Sequence, residues 1–176
     1  MMLNIITPCS RPYNLDKIAE SINFPSYRWI VVFDAVEVPI NVPHQAECYA
    51  VVDKNSTSGN AQRNYALDIV KDGWVYFNDD DTVIHPELWK NIHHLDNDFI
   101  SFKQAWPSGV LRLQGNNIAP NNIDSHNFIL HNSLIGDTRW VLHEYSADGI
   151  FANECYKRSK SPIYIDKVLS VYNILR

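Results

Sequence analysis

Apolar and polar positions fall in blocks along the chain, and the length of each block predicts its element. Residues 3–7 (LNIIT) form a short apolar run that Pro8 ends, which predicts a buried strand. In residues 13–22, Leu15, Ile18, Ala19 and Ile22 fall on one side at helical spacing. Residues 28–33 (RWIVVF) are apolar without alternation, the pattern of a strand covered on both faces. Residues 48–52 (CYAVV) predict a third strand, with a polar loop over 53–59 behind it. Helical spacing returns over 60–71 through Ala61, Tyr65, Ala66, Ile69 and Val70, and Gly73 stops it. Residues 74–77 (WVYF) predict a fourth strand, and 86–94 a short helix that starts on Pro86.

Beyond residue 97 the pattern turns β-rich. Strands are predicted over 98–106, 110–114 and 127–130, with a turn at 107–109 and an Asn-rich loop over 115–125. A last helix over 147–159 and a strand pair near 163–172 close the pattern. Strands alternating with helices predict a single α/β domain over 1–176, with three α/β/α layers around a mostly parallel central sheet. In such open sheets ligands bind at the carboxyl ends of the strands. Here those ends hold residues 7–11, Asp34 and residues 79–81.

Composition narrows the picture mainly by exclusion. A chain of 176 residues, 45% hydrophobic and 20% charged, is long enough for a sizeable core and is not a disordered segment. A net charge of -5 excludes nucleic-acid binding by bulk electrostatics. Cys9, Cys48 and Cys155 are far apart and form no CxxC pair, so neither a disulfide framework nor a zinc knuckle is expected. Reduced thiols fit a cytoplasmic protein. The first residues lack the basic start and long apolar stretch of a signal peptide, and no apolar run approaches membrane-spanning length.

One stretch carries chemistry. The run 74–77 leads through Asn78 into Asp79, Asp80 and Asp81. Alternate residues of an extended backbone share a side, so Asp79 and Asp81 can act together. Three neighbouring carboxylates raise one another's pKa unless a cation or donors neutralise them. Hard oxygen ligands suit Mg2+ or Mn2+. The plain alternative is an acidic turn ahead of the helix at Pro86. Two metal–phosphate chemistries use a strand ending this way. One is nucleotide-sugar transfer. The other is Mg-dependent phosphoryl hydrolysis with a DxDxT/V motif, which Asp79, Asp81 and Val83 satisfy. That motif opens its domain and needs a later lysine, whereas here it lies mid-chain.

Four motifs in order make the chain resemble a GT-A-fold glycosyltransferase, of the family-2-like inverting kind and, in its first half, like the β-1,3-glucuronyltransferases. They are Thr7-Pro8-Cys9-Ser10-Arg11-Pro12, the strand ending Phe33-Asp34-Ala35, Gly59-Asn60-Ala61-Gln62-Arg63-Asn64-Tyr65-Ala66-Leu67, and Val75 to Asp81. Residues 133–140, 145–151 and 164–173 match small transferases of this kind more loosely. The resemblance implies a nucleotide-binding half over 1–95 and an acceptor-side half over 96–176. It places Thr7 and Arg11 along the nucleotide, Asp34 on the imide N–H of a uracil-type base, and Arg63 on the base or diphosphate. Asp80 would contact the ribose, Asp81 would hold the metal with Asp79 in support, and Asp148 would be the catalytic base. The family's usual downstream metal-binding histidine is not evident, which leaves the third ligand open.

The chemistry asks for the same parts. Sugar transfer needs a base at the acceptor hydroxyl and positive charge at the departing diphosphate. Asp148 opens a predicted helix, where backbone donors favour an ionised carboxylate, and Glu144 is the rival base. His126 and His131 flank an apolar strand and could reach donor or acceptor, whereas His93 and His94 read as a solvated helix end. Trp106 and Trp140 read as core, although Trp106 could stack on a sugar. The expected function is therefore a Mn2+- or Mg2+-dependent transferase. It would move a sugar from a nucleotide-diphosphate donor, UDP-linked by preference, to a glycan or other hydroxyl acceptor with inversion. The alternatives are a non-catalytic nucleotide-sugar-binding module and the phosphatase.

Overall fold

The structure, a computed structural model, describes residues 1–54 and 56–176; residue 55, in the loop expected over 53–59, lies outside the described residues. Eight strands form one sheet: β1 (Leu3–Cys9), β2 (Tyr27–Phe33), β3 (Ala46–Ala50), β4 (Trp74–Phe77), β5 (Phe99–Ala105), β6 (Leu111–Leu113), β7 (Phe128–His131) and β8 (Pro162–Val171). Their order is β3-β2-β1-β4-β7-β5-β6, with β8 paired to β5. β1 to β4 run parallel, β7 runs against β4 and β5, and β8 runs along β5. The sheet is mixed and mostly parallel, and it continues without a break across both halves of the chain.

Four helices cover the sheet: α1 (Leu15–Ser21), α2 (Asn60–Ile69), α3 (Leu88–Ile92) and α4 (Ala147–Tyr156). The period-2 alternation of the strands sorts their side chains between two cores. Leu3, Ile5, Val31, Phe33 and Tyr76 pack with Leu15 and Ile18 of α1 and Leu88 and Ile92 of α3. Ile6, Ile30, Val32, Val75 and Phe77 pack with Ala66 and Leu67 of α2 and Phe151 and Ala152 of α4. Both faces are buried, which is why β2 reads as an unbroken apolar run. Each fully buried large side chain contributes roughly 1.5–3 kcal/mol. Among the described residues no helix is long and apolar enough to cross a membrane. The three cysteines are free, and burial pushes the Cys9 and Cys155 thiols up to about 12.

Several boundaries differ from the sequence pattern, each for a local reason. β1 does not stop at Pro8 but runs to Cys9. The Ile6 carbonyl accepts from Asn78, so Pro8, of the same parity, turns its missing N–H toward the β4 side, where the ladder has ended. β3 starts two residues early because Ala46 and Glu47 pair with Trp29 and Ile30, and Glu47 takes a bidentate contact from Arg28 at 2.7 Å on both nitrogens. α3 begins at Leu88 because the His85 ring accepts from the Glu87 amide at 3.2 Å and holds a turn ahead of it. The strand pair near 163–172 is the single strand β8; its register against β5 jumps between Ile165 and Val168, so the polar Asp166-Lys167 is a bulge and not a turn.

Gly59 fixes how α2 meets β1. It has φ +79, and a Cβ there would lie 2.6 Å from the Pro8 Cβ. Gly59→Ala therefore has to adopt a left-handed backbone and push against the end of β1. The expected loss is about 1–3 kcal/mol, read as a lower urea midpoint with an unchanged m-value.

Candidate functional site

From β1 the chain crosses to β2 on one side, while β4 joins β1 on the other. Such a switch point opens a crevice at the carboxyl ends of the two strands. A cleft of about 460 Å³ lies there. Its lining includes Ser10 and Arg11 after β1, Asp34 after β2, Arg63 on α2, and Asp79, Asp80 and Asp81 after β4. The far wall carries Arg112, Asp124, Tyr145, Asp148, Tyr172 and Arg176. Thr7 lies beneath this surface: it is fully buried, and its hydroxyl accepts from the Trp29 indole N–H at 3.0 Å. Asp34 is exposed at the rim, and its backbone N–H donates to the Cys9 carbonyl at 2.9 Å.

The three acids have three different environments. Asp80 is buried and fully engaged. Its Oδ2 accepts from the Ser10 and Arg11 amides at 2.6 and 2.7 Å and from the Ser10 hydroxyl at 3.1 Å, while Arg11 pairs with its Oδ1. It ties the loop after β1 to the end of β4. Asp79 accepts from Arg63 Nη2 at 2.5 Å and from Ser125 Oγ at 3.3 Å, and its Oδ2 lies 3.1 Å from His126 Nε2. Burial pushes Asp79 up, but Arg63 and His126 together outweigh it and hold the carboxyl well below the usual range. Asp81 accepts from Arg176 Nε at 2.7 Å and Arg11 at 3.2 Å. Burial, reinforced by Asp79, still raises its pKa, so the positive charge around it is insufficient.

His126 completes a set of possible metal donors. It sits in the short 3-10 turn Ser125–Asn127 ahead of β7. β7 pairs antiparallel with β4, with Tyr76 opposite Ile129; three residues further on, that register brings Asp79 opposite His126. One ligand atom each from Asp79, Asp81 and His126 lies within 4.8 Å of the others. The contact between His126 and Asp79 is internally conflicted. Nε2 faces the Asp79 amide N–H at 3.0 Å, which asks for a lone pair, and the Asp79 carboxylate at 3.1 Å, which asks for a proton. Burial lowers the imidazole pKa, yet Asp79 and Asp124 raise it to about 9 overall. A divalent cation held by Asp79, Asp81 and His126 would take the Nε2 lone pair and pair with the carboxylates in place of a proton, at the cost of the hydrogen bond from the Asp79 amide. The donor set is one that could hold a divalent cation.

The polar residues of the 59–67 motif position loops. Gln62 donates to the Val51 carbonyl at 2.9 Å. Asn64 donates to the Trp140 carbonyl at 2.9 Å and accepts from its amide at 2.7 Å. Arg63 is buried, donates to the Ser58 carbonyl at 2.6 Å, and stacks 4.5 Å over the Trp140 ring. Asp148, in the first turn of α4, accepts from the Gly149 amide at 2.7 Å. That donor does not dominate: burial, then Asp124, raise the Asp148 carboxyl to about 6. A Cβ on Gly149 would lie 2.5 Å from the Pro120 Cα, so this first turn rests on the loop around 120. Glu144 is exposed, and its carboxylate is occupied by the Ser146 amide and hydroxyl at 3.2 and 2.8 Å.

Arg112, Asp124 and Arg176, which no sequence motif marked, join Asp148 and Tyr172 in the far wall. Arg112 donates to Gln104 and to Asp124 Oδ2 at 3.0 Å, and lies 3.8 Å from the Tyr172 ring centroid. The lining holds four arginines (11, 63, 112, 176) against six aspartates (34, 79, 80, 81, 124, 148). Aspartates thus outnumber arginines along the cleft.

No protein-family profile matches the sequence, and no curated protein does. Solved structures do. Residues 1–349 of S. aureus TarS superpose with a TM-score of 0.75 at 18% identity, over 97% of this chain and 60% of that one. A complex of the same protein with UDP-GlcNAc gives a TM-score of 0.73 at 16% identity, over 97% and 58%. The mannosyltransferase PcManGT of Pyrobaculum calidifontis, in complex with GDP-Man and Mn2+, gives 0.68 at 10% identity, over 97% and 56%. This is the GT-A fold. The chain spans about 60% of the TarS fragment. The 2-C-methyl-D-erythritol 4-phosphate cytidylyltransferase of Francisella tularensis superposes more distantly, with a TM-score of 0.53 at 10% identity over 94% and 90%.

Removing Arg63 leaves the Asp79 carboxylate without its strongest partner and opens space against Trp140. Arg63→Ala is expected to cost about 2–4 kcal/mol in chemical denaturation, and Arg63→Lys to recover only part of it.

Proposed function

We propose that the protein is a metal-dependent glycosyltransferase. It takes a sugar from a nucleotide-diphosphate donor, UDP-linked by preference, and delivers it to a hydroxyl acceptor with inversion. One observation carries the reading: two carboxylates and an imidazole converge within 4.8 Å at the switch point of the sheet, and the two carboxylates line a cleft that Asp148 also lines. The UDP-GlcNAc complex of TarS and the GDP-Man and Mn2+ complex of PcManGT support it by analogy of fold.

The roles follow from the environments. Asp79, Asp81 and His126 hold the cation, Mn2+ in preference to Mg2+. When bound, it neutralises charge developing on the departing diphosphate. Arg63 holds Asp79 ionised and in place. Arg11, anchored by Asp80, lines the path of the nucleotide, and exposed Asp34 at the rim accepts from the imide N–H of a uracil-type base. Thr7 supports that wall from beneath through Trp29. Asp148 accepts the proton of the acceptor hydroxyl as its oxygen attacks the anomeric carbon. A carboxyl raised to about 6 is a stronger base than an ordinary aspartate and is still ionised at neutral pH. The phosphatase alternative has less support. Among the described residues, no lysine lines the cleft, and Asp79, its required nucleophile, is held by Arg63 and faces His126.

Calorimetry with UDP-, GDP- and dTDP-sugars tests this reading. Donor binding is expected to require Mn2+, and Asp81→Asn to remove that requirement along with most of the affinity. Equal UDP affinity with and without Mn2+ overturns it, and Mn2+-dependent binding without turnover reassigns the protein as a binding module. For catalysis, the base must be ionised, so kcat rises with pH through about 6 and levels off above it. Asp148→Asn is expected to lower kcat about 10²- to 10⁴-fold and to abolish that acidic limb, with donor affinity retained.

A further inference from the structure

Asp81 carries a cation in this structure already, and it comes from the protein. The chain after β8 turns back at Asn173, whose φ is +48, and crosses the end of β4. The Asn173 amide donates to Thr82 Oγ1 at 3.2 Å and the Leu175 amide to the Asp81 carbonyl at 2.9 Å. This turn brings Arg176 Nε within 2.7 Å of Asp81 Oδ2. The Asn173 side chain, oriented by its neighbours, donates to Asp81 Oδ1 at 3.2 Å and accepts from Arg176 Nη1 at 3.2 Å. Asp81 is thus capped on both oxygens, and its Oδ2 also faces Arg11 at 3.2 Å.

The two arginines are not equivalent. Arg11 is fixed by its ion pair with Asp80, and its own amide donates to the same carboxylate at 2.7 Å. The Arg176 side chain is 57% exposed, against 4% for Asp81, and reaches the carboxylate from the solvent side. A divalent ion placed among Asp79, Asp81 and His126 would repel both guanidiniums. Arg176, held on a long and solvated stem, is the one free to yield. It lines the same cleft, where an entering anion would meet it.

We propose that Arg176 is an exchangeable counter-cation. It pairs with Asp81 while the metal is away, gives up that carboxylate when a divalent cation enters, and then pairs with the diphosphate of the incoming nucleotide. This rests on the metal reading under Proposed function. It assigns Arg176 two opposed effects, competing with the metal and cooperating with the nucleotide. A guanidinium suits the second task because its fork matches phosphate oxygens two at a time.

Arg176→Ala separates the two effects, and neither readout depends on turnover. Titration of Mn2+ alone, followed by electron paramagnetic resonance of the free ion, is expected to show about three- to five-fold tighter binding, the value of a part-exposed ion pair. Calorimetric titration of UDP at saturating Mn2+ is expected to show about tenfold weaker binding, from the loss of a charged hydrogen bond. Arg176→Lys, which keeps the charge but not the fork, is expected to return Mn2+ affinity to the wild-type value and UDP affinity only in part. A merely structural role would weaken both ligands together, and that result overturns the proposal. Unchanged Mn2+ affinity in Arg176→Ala, with wild type binding the ion, overturns it alone. Absence of Mn2+ binding in both wild type and variant overturns the metal reading and this proposal together.

Discussion

Three adjacent carboxylates at the end of a buried strand cannot all stay ionised unless each receives its own positive or hydrogen-bonding partner. The surroundings of β4 are built around that constraint. Asp79 takes Arg63 from α2 and His126 from the approach to β7. Asp80 takes Arg11 and two backbone N–H groups from the loop after β1. Asp81 takes what remains, a share of Arg11 and the outer guanidinium of Arg176, and that is not enough to bring its pKa down. The elements around the cleft are thereby fastened to one another through the acids. Asp81 is left the least compensated of the three.

The same division explains what was legible in the sequence. Strands buried on both faces leave unbroken apolar runs, so β2 and β4 and their acidic ends could be read directly, as could the alternation with α1 and α2. The cleft was expected from topology alone at residues 7–11, 34 and 79–81, and of these only Thr7 does not line it. The jobs of individual residues did not follow. Arg63 belongs to a recognisable motif, but only the packing shows that it spends its donors on Asp79 and the Ser58 carbonyl. His126 lies far from the acids in sequence, and its partnership with Asp79 is set by strand register, which leaves no spacing signature. The bulge at Asp166-Lys167 looks like a turn because bulged residues, like turn residues, are freed from the ladder and can be polar.

The sheet is also shared by proteins whose reactions differ. A mannosyltransferase and a cytidylyltransferase both superpose on it. The fold brings a nucleotide to the switch point, and the reaction is decided by what faces it across the cleft. In this chain that wall is made by Asp148, Arg112 and Tyr172, drawn from α4, β6 and the turn after β8, and organised around Asp124. This wall lies in the half of the chain whose sequence pattern was least readable.

The pairing of β7 with β4 has a consequence for how the molecule assembles. β4 reaches β1 across some 70 residues, and β7 reaches β4 across a further 50 or so, with β5 formed between them. Contacts closed over such distances carry a large loop entropy and form late, once the local elements exist. Asp79 and His126 meet only when that long-range pairing is in register, because a slip of a single residue turns the imidazole to the opposite face. An intermediate with its helices and first three strands in place would have no metal centre. The convergence of Asp79 and His126 is thus a property of the closed sheet as a whole, and any ligand that bound there would stabilise global rather than local structure.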